Sequence, residues 1–505
     1  MYRDIEIIPE LQEALREYRQ GNYREAQSIC EELADTESGS RTERAALLLM
    51  ARCRIARGDM ETALDMYSQA MLLAEDKLEE RGICEEAMEA EADMDFCGKN
   101  LYRIAVELQR QGYMSEAAEA FNKAGVCSYR AGGNIGKESE MYETAMSIME
   151  SAEDCSDNQV LLAMVCGNLA ECRQRQRRPM EALELYKRAS DMLSHRLDDE
   201  TCLLHHAMYC CSAAEIYSQC GDNVKASTLL SSTIDNLEMQ YILSDEVRSQ
   251  IIACCNAYSM VCFQMGDYEG GVNACNKALR LKGGLEDEET ETILYSRAQA
   301  YEAMEKFAAA AADYRRCISI LENTDTAENR LIAALRRIPL GHILDGAGKL
   351  AEATEYYEQA AQTIDDARAD DVACSEVDND MLTDIEALCR FRLGKIFTRT
   401  ETRNYYRACK EYQACLELLQ SVDMSPVRAT QFSAAHTALA ELYEMFDEYD
   451  KAQTHYAEAN KYDAVASLGE LIMSAAMPED DAVCDDGSGY FLSDESDEED
   501  DTPEA

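Results

Sequence analysis

One short pattern returns along almost the whole chain. A small turn is followed by Ala, then an aromatic residue four positions later, then a small residue three after that. It reads Gly58-Asp59-Met60 with Ala63, Tyr67 and Ala70, and Gly112-Tyr113-Met114 with Ala117, Phe121 and Ala124. It returns as Gly266-Asp267-Tyr268 with Gly271, Cys275 and Ala278, and as Glu448-Tyr449 with Ala452, Tyr456 and Ala459. Self-similarity of this kind marks stacked supersecondary units, each burying its apolar face against its neighbours. Ten anchors share the register: Ala26, Ala63, Ala117, Ala182, Ala226, Gly271, Ala310, Ala353, Ala408 and Ala452. The widest gap, from Ala117 to Ala182, holds a degenerate eleventh unit with Tyr142 and Ala145 in the aromatic and small positions.

Each unit reads as two amphipathic helices joined by a tight turn, for example Cys255 to Gln264 and Glu269 to Leu281. Gly relieves the turn because it enters the left-handed region freely. That turn Gly is missing at Arg177, Glu305, Arg403 and Asp447. Small anchors let two helix backbones approach closely, so Ala353→Leu is expected to overpack the crossing and Gly271→Ala to be tolerated. Pro339 falls inside a first helix, where it removes a hydrogen bond and is expected to kink it.

Composition excludes several function classes. The formal net charge is −50, from 98 acidic against 48 basic residues, so the chain repels nucleic acid and anionic membrane. The longest uncharged stretch, Ser249 to Gly266, carries Gln250, Asn256, Ser259 and Gln264 and is too polar to span a bilayer. The first ten residues, MYRDIEIIPE, contain no apolar signal region, so no secretory leader is expected. The 22 cysteines occupy positions suited to small residues, as in Cys210-Cys211 and Cys254-Cys255, and read as hydrophobes in a reducing compartment. A cytoplasmic location is expected, with the nucleus as the alternative.

No catalytic or cofactor motif is present. Gly132-Gly133-Asn134-Ile135-Gly136 lies between helices and lacks the Lys-Ser/Thr of a phosphate loop. Cys202, His205, His206 and Cys210 have no second ligand pair at a metal spacing and read as helix packing. A non-enzyme without cofactor or metal is expected.

The recurring Ala, aromatic and small positions resemble the tetratricopeptide repeat (TPR) family over about residues 10–465. The chain departs from the family pattern in having no Trp and no Pro closing the second helix. Its long repeat spacing is similar to the extended branch of kinesin light chains and Leu-Gly-Asn-type adaptors. The resemblance implies an all-α superhelix, or solenoid, of ten to eleven helical hairpins. Residues 1–84 read as N-terminal repeats, 85–97 as an acidic linker or helical extension, 98–475 as the main array and 476–505 as a disordered acidic tail.

The resemblance also implies that first helices line a concave groove holding peptide segments of partner proteins. Arg103, Arg110, Arg175, Arg392, Lys395 and Arg399 are expected to face it, because guanidinium groups grip carboxylates bidentately. The Lys–Asn pair of clamps for acidic chaperone tails is absent. In the tail, Tyr490-Phe491-Leu492 forms an apolar triplet within acid that is expected to dock into the chain's own groove near Arg392 to Arg399. Ser493 and Ser496 stand among carboxylates as sites for acidophilic kinases. The function expected is a protein-interaction adaptor. The alternative is an acidic chaperone for basic proteins such as histones. Neither the partner nor the oligomeric state is written in these residues.

Overall fold

The computed structural model describes residues 8–36, 41–79, 85–151, 158–240, 243–324, 326–369, 379–399 and 402–476. Among them are 21 α-helices and no strand. The chain divides into two compact units, one up to Ile320 and one from Leu321 onward. The tail residues Tyr490, Phe491, Leu492, Ser493 and Ser496 lie outside the described residues, as does the rest of 477–505.

The first unit starts with three hairpins. They pair α1 (Gln12–Gln20) with α2 (Tyr23–Thr36), α3 (Arg41–Ala56) with α4 (Met60–Glu79), and α5 (Glu85–Gln111) with α6 (Met114–Arg130). The acidic stretch 85–97 is the first half of α5. A single helix follows, α7 (Ile135–Ser151). Pairing resumes with α8 (Asn158–Arg175) and α9 (Pro179–Leu193), then α10 (Glu200–Gln219) and α11 (Asn223–Glu238). α12 (Asp245–Gln264) pairs with α13 (Tyr268–Leu281), and α14 (Glu288–Ala303) with α15 (Phe307–Thr324). The second unit has three hairpins: α16 (Ala327–Gly346) with α17 (Leu350–Ala369), α18 (Asn379–Thr398) with α19 (Tyr405–Gln420), and α20 (Pro426–Met445) with α21 (Tyr449–Ala476). α16 runs through Pro339 as one helix.

The turns explain the sequence pattern. Each passes through one left-handed residue, such as Gly21 (φ 84°), Gly58 (φ 80°) or Gly112 (φ 91°). Arg177, Glu305, Arg403 and Asp447 take the same place at φ 59°, 58°, 44° and 62°. A side chain there costs roughly 1–2 kcal/mol, which the packing of the two flanking helices must offset. Most turns close with the same bond from the next amide to the carbonyl five residues back, as in Asn22 N–H to Glu17 O (3.0 Å) and Glu448 N–H to Tyr443 O (2.8 Å).

Ala26, Ala63, Ala117, Ala182, Ala226, Ala310, Ala353 and Ala408 are fully buried. The aromatic positions Tyr67, Tyr314, Tyr357 and Tyr412 fill the grooves beside them and are buried too. Each such ring contributes roughly 2–3 kcal/mol of apolar burial. Gly271 departs from expectation. The Phe263 ring of α12 occupies the space that a Cβ at Gly271 would need, so Ala is not a free replacement there. The described cysteines carry free thiols and nearly all are buried. Burial pushes the thiols of Cys30, Cys127 and Cys415 up to about 12, consistent with packing rather than reactivity. Among the described residues no helix is long and apolar enough to cross a membrane.

Candidate functional site

The site grows out of the single helix α7. Three observations make α7 the second half of a hairpin whose first half is α6. Its sequence places Tyr142 and Ala145 in the aromatic and small positions, and both are buried. The α6–α7 turn passes through Gly132 (φ 61°) and closes with Gly133 N–H to Ser128 O at 2.7 Å, like the other turns. Finally, the Tyr142 ring lies on Gly125 of α6, where a Cβ would stand 2.5 Å from Cε1. Tyr357 covers Gly341 and Tyr412 covers Gly394 in the same way, each across a hairpin. Thus α6 serves two hairpins. It is the second helix to α5 and the first helix to α7.

This sharing shifts the register by one helix. α4 touches α6, α6 touches α8, and contacts continue through α10, α12 and α14. Second helices occupy that layer before α7 and first helices occupy it afterwards. The Ala anchor of α7 is replaced by Glu138, whose carboxylate is fully buried. Arg175 of α8 reaches it at 2.8 Å while its guanidinium lies 4.5 Å from the Tyr129 ring centre.

α5 and α7 both pack on α6 and enclose a cleft of about 540 Å³ between them. Gly98, Lys99, Tyr102 and Arg103 line it from α5, Ala124 and Ser128 form its floor on α6, and Lys137, Glu140 and Met141 face them from α7. Lys99 pairs with Asp95. Asn134 caps α7 by accepting hydrogen bonds from the Gly136 and Lys137 amides at 2.9 and 3.3 Å. Arg103 and Lys137 have no hydrogen bond or ion pair through their side chains among the described residues. Tyr102 is 41% exposed and stands edge-on to Phe121, with ring centres 5.6 Å apart. Two uncommitted cations beside an exposed ring and a thioether can hold a carboxylate and an apolar side chain together.

The basic residues singled out in the sequence fall to different tasks. Arg103 lines the cleft. Arg110 pairs with Glu107 one turn away at 3.2 Å, and Arg175 is committed to Glu138. In the second unit Arg399 pairs with the buried Asp345 at 2.8 Å. Arg392 has no ion pair among the described residues and lies near Tyr357. Lys395 lies exposed, 5.9 Å from the Phe391 ring centre. Arg368 and Arg390 both bind Glu386, Arg390 also reaches Glu411, and Arg407 bridges Glu358 and Glu411. Burial raises the Glu386 carboxyl above its usual range, opposed by Arg368 and Arg390. In a chain this acidic, most of the clustered arginines neutralise internal carboxylates. His206 lies 3.8 Å from Cys210 Sγ, and no three His, Cys, Asp or Glu among the described residues are placed to hold a metal ion.

Sequence reasoning did not single out Lys99, Tyr102, Lys137 or Met141. The available signal was Glu138, an acid at an anchor position that is Ala or Gly in every other unit.

Residues 46–81 and 291–323 match models of the tetratricopeptide repeat, and each segment falls on one helical hairpin, α3–α4 and α14–α15. At these two hairpins the chain carries tetratricopeptide repeats. Such repeats are scaffolds for protein–protein interaction, and that much holds for this repeat protein. No curated protein matches it. Among solved structures it is similar to a Signal Transduction ATPase with Numerous Domains protein with a tetratricopeptide repeat sensor from Pyrococcus horikoshii. That likeness has 13% identity and a TM-score of 0.49, and covers 89% of this chain and 66% of the other. The apo form of RapI is similar at 13% identity and TM-score 0.38, over 61% of this chain and 99% of RapI. MamA is similar at 14% identity and TM-score 0.30, over 42% of this chain and 96% of MamA. Similarity this low bears on neither partner nor activity.

Proposed function

We propose that this repeat protein is a non-enzymatic adaptor that binds acidic, apolar peptide segments of other proteins in the α5–α7 cleft. The observation that carries the reading is Arg103 facing Lys137 across a cleft that also exposes Tyr102 and Met141. In a chain of net charge −50, a cleft with more basic than acidic side chains is out of character with the surface around it. Its concavity and apolar lining suit a peptide side chain, and its cations suit a flanking carboxylate.

The test is a peptide array probed with the full chain. It carries acidic–apolar sequences, the same sequences with amides for acids, and basic sequences. Acidic–apolar peptides should bind best. Arg103→Glu or Lys137→Glu should each weaken binding about tenfold, the worth of one charge-assisted contact. A chain ending at Ala476 separates the repeats from occupancy by the chain's own tail. Preferential binding of basic peptides, lost steeply with salt, would replace this reading with that of an acidic chaperone. Binding insensitive to both variants would place the site elsewhere.

A further inference from the structure

We propose that Cys211 and Cys254 form a peroxide-responsive modification site, closing to a disulfide that ties α10 to α12. The two helices are neighbours in the layer that runs from α4 to α14. The sulfurs lie 3.0 Å apart although their residues are 43 positions apart. A disulfide needs about 2.05 Å, so closure asks for a movement of about 1 Å, within the reach of two side-chain torsions.

The surroundings are those of a built pair. Gln250, one turn before Cys254, directs its side-chain amide to both sulfurs, at 3.9 Å from Cys211 and 3.7 Å from Cys254. Hydrogen bonds from Cys211 and Gln250 hold the Cys254 thiol below its usual range, while the proton shared with Cys254 raises Cys211. Cys254 is fully buried and Cys211 is half-buried, so a small oxidant approaches from the Cys211 side. Burial is the largest cause that pushes up Cys30, Cys127 and Cys415, and none of the three makes a hydrogen bond to a second cysteine sulfur among the described residues.

The chemistry balances with hydrogen peroxide as oxidant. One sulfur of the pair, as thiolate, attacks a peroxide oxygen, the O–O bond breaks, and sulfenic acid and hydroxide form. The second sulfur attacks the sulfenic sulfur, the S–O bond breaks, and water leaves as the S–S bond forms. In total two thiols and one peroxide give one disulfide and two waters. The tie fixes the spacing of two consecutive hairpins and removes freedom from the unfolded chain between them.

The experiment treats the native full chain with hydrogen peroxide, blocks the remaining thiols by alkylation, and maps linked peptides by mass spectrometry. The expected result is a linked pair carrying Cys211 and Cys254, a loss of two thiols from the 22 of the chain, and reversal by dithiothreitol. Hydrogen exchange in α10 and α12 should slow in the oxidised form. Cys220→Ser, which removes an exposed thiol outside the pair, should leave the link intact, and Cys211→Ser should abolish it. Mapping of the unaltered chain decides the matter even where a variant folds poorly. A chain in which Cys211 and Cys254 stay reduced while other cysteines oxidise overturns the proposal. So does one in which Cys211 proceeds to sulfinic acid with Cys254 free.

Discussion

Replacing Gly125 with Ala puts a methyl group where the Tyr142 ring lies. The new Cβ would stand 2.5 Å from Cε1, 2.7 Å from Cζ and 3.1 Å from Cδ1, whereas carbon contacts are most favourable near 3.5–4.0 Å. The ring is 3% exposed and has little room, so it must retreat by about 1 Å and carry α7 with it. On an open helix face the same change would stabilise the protein by roughly 1 kcal/mol, because Ala has the higher helix propensity. Overpacking a filled site costs about 1–3 kcal/mol. The net expectation is a local loss of up to about 2 kcal/mol. Repeat arrays need not unfold in one step, so the assay is native-state hydrogen exchange, comparing α6 and α7 with the remote hairpin α12–α13. Exchange in α6 and α7 should rise by about tenfold, the equivalent of 1.4 kcal/mol, while α12 and α13 stay unchanged. In a Tyr142→Leu background Gly125→Ala should cost little, because the two residues are coupled through contact. Slower exchange in Gly125→Ala, or the same cost in both backgrounds, would refute the shared hairpin built on α6.

Further outcomes follow from buried ionisable groups. Arg175→Ala leaves the Glu138 carboxylate buried without its cation and should cost up to about 3 kcal/mol, read as faster exchange in α7 and α8. Glu138→Ala restores the usual anchor and should change stability by less than about 1 kcal/mol. In the second unit, His436 and His455 meet at 2.8 Å between their Nδ1 atoms. Burial holds His436 down to about 4 and His455 below its usual value of 6.5. The unfolded chain therefore takes up these protons at higher pH than the folded one. The pair's contribution to stability should be intact at neutral pH, fall as pH drops below 6.5, and be lost near 4. Exchange in α20 and α21, corrected for intrinsic rates, should show this fall, and His436→Leu should flatten it. A pH-independent α20–α21 hairpin would contradict the burial of the pair.

The candidate site was only partly legible beforehand. Arg103 reads from the sequence as a scarce cation on a first helix, and it lines the α5–α7 cleft. Lys99 and Lys137 were not found, because α5 and α7 come together only through α6. Arg175, sought as a ligand-binding residue, is committed to Glu138, a partner 37 positions away. Arg399 is committed to Asp345, 54 positions away. Gly271 looked replaceable by the Ala of its register, yet the ring that forbids it belongs to the preceding helix.

By itself the sequence determined what depends on neighbours along the chain. It located the turns, down to the four left-handed positions at Arg177, Glu305, Arg403 and Asp447, where backbone geometry overrides residue preference. It located the small anchors and the rings beside them, because helical period and backbone approach are short-range requirements. Tertiary structure alone decided that α6 carries two signatures on two faces, Ala117, Phe121 and Ala124 toward one neighbour and Gly125 toward the other. It alone decided which arginines remain uncommitted. A helix shows its period to a reader of the sequence but not its partners. Pairing between helices rests on side-chain contacts across tens of residues, and those energies are settled only when the helices pack.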